Sequence, residues 1–343
     1  MTGSDTPIPP IHLPAGYTAR PVTLADAEAA ADLENAHHSA LTGRPCIEAG
    51  NIRSDWSQPT MNLATNTLAV VAADGSFAGI AELWDSAPHV HNYVFAVVHP
   101  AHQGRGIGAA LAGWAEARGR QLLPAAPADA RVILRQFKMR DDTAAAALLR
   151  QQGYALARHN LRMMIDFTQP PPRPIPPDGL VIRPFVRGPE DHALITAVRE
   201  EFRDHWGEVE TPYEQDYAEW QHWMDTGPTC DPSLFFVAMD GAEVAGTALC
   251  QAKWAEDPES GWIFGLGVRR PWRRRGVALA LLQHCFWALH GRGKRRARLG
   301  VDAESLTGAT RLYEKAGMTL ERQFDFYELE LRGGKDLGTQ VVK

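Results

Sequence analysis

Val98-His-Pro-Ala-His-Gln103-Gly104-Arg105-Gly106-Ile107-Gly108-Ala109-Ala-Leu111, in the first half of the chain, returns in the second as Val268-Arg-Arg-Pro-Trp-Arg273-Arg274-Arg275-Gly276-Val277-Ala278-Leu279-Ala-Leu281. Both stretches place Gln or Arg, two residues, Gly, one residue and then Gly or Ala between an apolar run that reads as a strand and an Ala/Leu-rich run that reads as a helix. Gly106 and Gly276 lie 170 positions apart, so what repeats is a whole domain. A strand that turns straight into a helix presents the helix's first N–H groups, which have no partner within the helix and sit at the positive end of its dipole. Glycine lets that backbone approach an anion closely, so the turn suits a pyrophosphate. The dinucleotide pattern Gly-x-Gly-x-x-Gly with a later acid and the P-loop ending Gly-Lys-Ser/Thr are both absent.

The rest of the chain repeats as well. Tyr17-Thr-Ala-Arg20-Pro21 is answered by Leu180-Val-Ile-Arg183-Pro184, and a helical pattern containing acids and alanines follows each. Strand-like runs Thr67 to Ala73 and Leu234 to Asp240 come next, then turns at Asp74-Gly75 and Asp240-Gly241 and further strands. The proline-rich segment from Thr168 to Asp178 forbids helix and reads as a linker. It predicts an N-terminal tail over 1–15, a first domain over 16–167, the linker over 168–178, a second domain over 179–332 and a C-terminal tail over 333–343. Alternating strands and helices predict an α/β fold with a mixed sheet and ligand bound beyond strand ends.

The paired turns resemble the signature of the GNAT superfamily of acyl-CoA N-acyltransferases, Gln/Arg-x-x-Gly-x-Gly/Ala. The likeness extends from about Tyr17 to Leu331, and the two-domain layout is similar to the tandem branch that includes mycothiol synthase-type acyltransferases. The resemblance implies two GNAT-like domains, each a mixed, mostly antiparallel sheet flanked by helices, and acetyl-CoA as cosubstrate. It assigns the coenzyme to Leu266, Gly267, Val268 and Arg273 through Leu279 in the second copy, and to Val98 and Gln103 through Ala109 in the first. The strand Ile263 to Val268 should pair with the pantetheine arm, with an N–H near Leu266 or Gly267 for the acyl carbonyl.

The second copy continues Val301-Asp-Ala-Glu-Ser305-Leu-Thr-Gly-Ala309-Thr-Arg-Leu312-Tyr313-Glu-Lys-Ala-Gly317-Met318, which resembles the superfamily's second signature. By that resemblance Tyr313 is the general acid that protonates the departing thiolate; a phenol of pKa about 10 remains protonated at neutral pH. Aligning Gly153 on Gly317 puts Leu149 where Tyr313 stands, with Tyr154 nearby. Leucine cannot donate a proton, so the first domain is expected to be non-catalytic, either binding acyl-CoA or serving as a structural partner. An amine acceptor needs a base to take its proton. Trp262 stands where relatives often carry a strand carboxylate, which leaves Glu259 and His205 as leading candidates, with Asp204, Glu208 and Glu210 beside them. Trp220 and Trp223 read as core packing or as walls of an acceptor pocket.

The chain has 343 residues, 45% hydrophobic, with a formal charge of −6, and a pI near 6.1. That balance argues against a general nucleic-acid binder. Cys46, Cys230, Cys250 and Cys285 show neither zinc-site nor disulfide spacing. With no signal-like start and no membrane-length apolar run, the expectation is a soluble cytoplasmic protein without a metal. It would act on a small-molecule amine as a monomeric intramolecular pseudo-dimer or a weak homodimer. The expected activity is acetyl transfer from acetyl-CoA to a primary amine by direct attack in the second domain. The rivals are a non-catalytic acyl-CoA sensor and a protein lysine or N-terminal acetyltransferase.

Overall fold

In the computed structural model, which describes residues 9–305 and 308–340, each apolar run bounded by turn residues becomes a strand. Leu306 and Thr307, inside the second signature, lie outside the described residues. The chain divides into two compact units, one formed by residues 1–158 with 324–337, the other by 159–323 with 338–343.

Unit 1 runs β1 (Tyr17–Arg20), α1 (Ala27–Thr42), α2 (Ala49–Trp56), α3 (Leu63–Asn66), β2 (Thr67–Ala72), β3 (Phe77–Trp84), β4 (His91–Val98), α4 (Ile107–Leu122), β5 (Val132–Met139) and α5 (Thr143–Gln151). β6 (Ala155–Asp166) then leads into unit 2, which runs β7 (Val181–Pro184), α6 (Asp191–Phe202), α7 (Tyr213–Thr226), β8 (Phe235–Asp240), β9 (Glu243–Gln251), β10 (Ser260–Val268), α8 (Val277–Gly291), β11 (Arg296–Asp302) and α9 (Ala309–Lys315). β12 (Thr319–Arg332) closes the order. Each unit is a mixed, largely antiparallel sheet with helices, as the resemblance implied. The strand order is β1-β2-β3-β4-β5-β12 in unit 1 and β6-β11-β10-β9-β8-β7 in unit 2.

The hairpins follow from their turn residues. Gly75 has φ +87° and Gly241 φ +60°, a left-handed conformation that costs glycine nothing. The long helices are fixed by apolar spacing. Val277, Leu281, Cys285 and Leu289 recur every fourth residue of α8, and all are buried in a cluster with Phe236, Ile263 and Leu299. In unit 1 the buried faces of α1 and α2 (Leu33, Ile52, Trp56) meet Ala69, Phe77 and Ile80 of the sheet.

The closing strands correct the expected domain limits. β6, the end of the first sequence copy, pairs antiparallel with β11, from Asp302↔Asn160 to Arg296↔Asp166. β12, the end of the second copy, pairs antiparallel with β5, from Phe324↔Met139 to Arg332↔Val132. Each copy thus gives its last strand to the sheet of the other, and the compact units do not break at the proline-rich linker. The pairing is anchored chemically. Arg135 of β5 is buried and donates to Glu328 of β12 at 2.6 and 3.0 Å, while Arg131 reaches the same carboxylate at 3.1 Å. Removing one member of a buried ion pair strands the other. Glu328→Ala should therefore destabilise unit 1 by about 3–5 kcal/mol, seen as an early transition in scanning calorimetry; an unchanged melt would deny β12 its anchoring role.

Candidate active site

The site in unit 2 begins where two strands part. β10 and β11 run parallel and pair from Ser260↔Arg296 to Ile263↔Leu299, and no further. On its other side β10 stays paired with β9 as far as Val268↔Gly246, with a register shift between Ile263 and Gly265. Such a bulge bends a strand and re-aims its groups. From Gly265 to Val268 one backbone edge of β10 is therefore left without a neighbouring strand among the described residues, an edge that suits an extended ligand.

The chain then turns into α8. Arg273 donates through Nε to the Val268 carbonyl at 3.0 Å and through Nη1 to Asp204 at 2.6 Å, fastening the turn to the end of α6. Arg270 also pairs with Asp204, and the two guanidiniums hold that carboxyl down to about 2. Arg274 (φ +63°) and Gly276 (φ +82°) take left-handed conformations. Gly276 caps α8 without any side-chain hydrogen bond, leaving the first N–H groups of the helix to a ligand. A Cβ built on Gly276 meets nothing nearer than Pro177 at 3.9 Å, so the space above the helix end is open. The residues present therefore fit a pyrophosphate. In unit 1, Gly104 (φ +73°) and Gly106 (φ +83°) give α4 the same uncapped start.

A cleft of about 450 Å³ extends from this turn between β10 and α9. Leu266, Gly267, Val268, Arg273, Arg274, Gly276, Val277, Ala278 and Leu279 line it, whereas Arg275 does not. Tyr313 lines it too, from the buried side of α9. Burial pushes its phenol up to about 12, so it stays protonated, and its hydroxyl has no hydrogen-bond partner among the described residues.

Sequence reasoning missed Glu201. It lies on α6, buried at the cleft wall, with Thr247 Oγ1 donating to Oε2 at 2.5 Å and with Oε1 unpartnered. Burial raises its carboxyl to about 8, against the smaller opposing effect of the Thr247 hydrogen bond. A Cβ on Gly267 would overlap this carboxylate, so the glycine makes room for it. The available signal was periodic: Leu194, Ala197 and Glu201 share the buried stripe of α6, and a carboxylate on an apolar stripe is unusual.

The other candidates fall apart. His205, four residues beyond Glu201, lines the cleft. Glu259 does not; its side chain is 51% exposed and pairs with Arg296 at 2.9 Å and Arg295 at 3.5 Å. Local proximity to β10 in sequence placed it at the wrong end of the strand. Asp204 is committed to arginines, and Glu208 and Glu210 are exposed and do not line the cleft. Trp223 packs on Phe235 and Phe264 at 5.8 and 5.1 Å, with Trp220 against it, and Trp262 stacks on Trp254 at 5.5 Å.

Unit 1 has a matching cleft of about 380 Å³. Val98, Gln103, Gly104, Gly106, Ile107, Gly108 and Ala109 line it, while Arg105 turns to Tyr17 Oη at 3.1 Å. Its chemistry differs. Leu149 lines the wall where unit 2 has Tyr313, and Tyr154 is buried outside the lining. β3 and β4 pair without a register shift. Lys138 Nζ donates to the Ala96 carbonyl at 2.7 Å, occupying the edge of β4. His37, near the position of Glu201, contacts Asp142 at 3.1 Å and the Val98 carbonyl at 3.3 Å.

An uncapped helix start, an open strand edge and a phenol on the facing helix suit unit 2 to an acyl-CoA-using transferase, and unit 1 repeats the uncapped helix start. The sequence pattern of the Acetyltransferase (GNAT) family matches residues 33–154 and 195–318, and the chain belongs to that family. It is an acetyl-CoA-using enzyme with acetyl-CoA as its cosubstrate. The mycothiol acetyltransferase of Streptomyces scabiei is 31% identical over 256 residues, 74% of each chain. Among solved structures, a GCN5-related N-acetyltransferase from Sphaerobacter thermophilus is 36% identical with a TM-score of 0.76, covering 95% of this chain and 99% of that one. A tandem GNAT protein of the clavulanic acid biosynthesis pathway shares the fold at 16% identity, with a TM-score of 0.68 over 93% and 100% of the two chains. Among the described residues no helix is long and apolar enough to cross a membrane.

Gly276→Asp places a carboxylate at the open helix end, in a left-handed conformation that Asp tolerates better than most residues. Titration calorimetry should find CoA affinity in unit 2 abolished with the melting temperature nearly unmoved. Unchanged affinity would remove the pyrophosphate from this turn.

Proposed function

We propose that unit 2 transfers the acetyl group of acetyl-CoA to a small primary amine by direct attack, and that unit 1 is non-catalytic. The observation that carries this reading is that Glu201 and Tyr313, a buried acid with a free oxygen and a buried phenol with a free hydroxyl, line one cleft. Acetyl-CoA supplies an acyl group activated as a thioester. The chain supplies the rest. The uncapped start of α8 holds the pyrophosphate, and the open edge of β10 aligns the extended arm. A backbone N–H at Leu266 or Gly267 stabilises charge on the acyl oxygen.

Glu201 is the base. A carboxyl raised to about 8 is far closer in basicity to an alkyl amine than an ordinary carboxylate, so proton transfer from the acceptor is less uphill. Glu201 Oε1 takes the proton while Thr247 fixes Oε2. His205, four residues beyond Glu201 and lining the same cleft, orients the acceptor. Tyr313 Oη donates its proton to the leaving sulfur, and its protonated state is secured by burial. Glu259 has no part in this scheme. The name of the similar enzymes brings a mycothiol-type amine into the acceptor panel beside simple amines, amino acids and aminoglycosides.

Unit 1 keeps the anion-binding turn but has Leu149 in place of the phenol and Lys138 on the strand edge. Acyl-CoA bound there would meet Leu149 where unit 2 has its phenol.

Tyr313→Phe preserves the ring and deletes only the hydroxyl, so the chemical step should slow by about 10²–10⁴-fold at unchanged acetyl-CoA affinity and melting temperature. Single-turnover thiol release decides; a wild-type rate would mean that the sulfur leaves without this acid. Gly106→Asp, the counterpart of Gly276→Asp in unit 1, should leave steady-state turnover largely intact. Loss of turnover with Gly106→Asp but not with Gly276→Asp would assign catalysis to the other unit.

A further inference from the structure

Unit 1 holds a second recess, of about 270 Å³, which shares no lining residue with the cleft described above. Glu34 of α1, Asp55 of α2 and Glu82 of β3 face it, and Trp56 and Trp84 form its walls. Glu82 is buried, and each of its oxygens accepts an indole N–H, from Trp56 at 2.7 Å and from Trp84 at 3.1 Å. Two rigid neutral donors thus fix the carboxylate in place without neutralising it. Glu34 is 9% exposed and has neither a hydrogen-bond donor nor a cation as partner among the described residues.

Buried carboxylates are ordinarily paired, because an isolated charge taken from water is costly. Here no protein cation is supplied to Glu34 or Glu82, and the neighbouring acids repel one another. In the free protein the cost is met by holding protons: burial raises Glu82 to about 7, and burial with the Glu82 and Asp55 charges raises Glu34 well above the carboxylate range. Apolar walls from Ile47, Ile52 and Phe95 complete the recess. Carboxylates beside indole faces and alkyl side chains suit a cation that carries its own hydrocarbon, held by charge-assisted hydrogen bonds and by the ring quadrupoles.

We propose that this recess is a binding site for a small organic ammonium ion, received by the Glu34 and Glu82 carboxylates between the Trp56 and Trp84 indoles. The inference concerns unit 1 alone and stands apart from the chemistry assigned to unit 2. α1 carries both Glu34, in this recess, and His37, in the unit 1 cleft, one turn apart. β4 likewise gives Phe95 to the recess and Ala96 to Val98 to the cleft.

Titration calorimetry of the full chain with 1,4-diaminobutane, and with 1,4-butanediol as the uncharged isostere, tests the site. The diamine should bind saturably and the diol should not. Glu34→Gln and Glu82→Gln should each weaken the diamine by about tenfold or more, the range of a hydrogen bond to a charged group. Glu34→Gln should melt at or above the wild-type temperature, since it replaces an unpartnered buried acid by a neutral amide of the same shape, whereas Glu82→Gln turns an amide NH2 toward one indole N–H and should melt somewhat lower. Absence of saturable diamine binding to the wild-type chain, equal binding of the diol, or retention of diamine affinity in both variants would overturn the proposal. Because unit 2 is itself proposed to take small amines, the diamine-to-diol comparison shows only that charge is recognised, and loss of diamine affinity in the folded Glu34→Gln or Glu82→Gln chain is what assigns the binding to this recess.

Discussion

Everything at the active site depends on a backbone edge that the sheet does not satisfy. Parallel β10 and β11 pair over only four residues and then separate, while β10 continues to Val268 beside β9. Buried N–H and C=O groups without partners are costly, so a strand edge left open beside a deep cleft is tolerated where a ligand's own amides can complete it. The bulge at Phe264 and the fastening of the turn by Arg273 to Val268 and Asp204 keep that edge open and in line with the start of α8. The same separation occurs in unit 1, where β4 and β5 pair only from His91↔Ile133 to Tyr93↔Arg135.

On this shared scaffold a few side chains distinguish the two clefts. Unit 2 places a protonated phenol and a high-pKa carboxyl around its open edge; unit 1 places a leucine, a His–Asp contact and a lysine that donates to the edge itself. The scaffold survives these changes because helix starts and strand separation are backbone features, while acid and base are single side chains. Duplication therefore allows the side chains of one copy to change while its fold is kept. The exchange of β6 and β12 gives a reason for retaining both copies, since each sheet needs the other copy's last strand.

What was legible in the sequence was what is encoded over short distances. The positive-φ turn at Gln103 to Gly108 and at Arg273 to Ala278 lies within a few residues, and so does the helix that carries Tyr313 to the cleft wall. Glu201 was hidden because its role depends on Thr247, 46 residues away, and on the absence of a side chain at Gly267. Glu259 looked close to the chemistry because it precedes β10, but a strand of nine residues has two ends, and Glu259 stands at the one opposite the turn. The exchanged strands were legible as strands but not as exchanged, since alternation of side chains fixes a face and says nothing about which sheet receives it.

The central claim is that Glu201, its carboxyl raised by burial, takes the proton of the acceptor in unit 2. The pH dependence of kcat/KM for acetyl transfer, measured on the wild type and on Glu201→Gln, tests it most directly. A raised carboxyl is an inactive acid below its pKa and a competent base above it, so wild-type kcat/KM should climb with rising pH through about 8. In Glu201→Gln that limb should vanish and the plateau should fall. A limb of the same midpoint and height in the variant would contradict the assignment, and with it the account of how this cleft performs acetyl transfer.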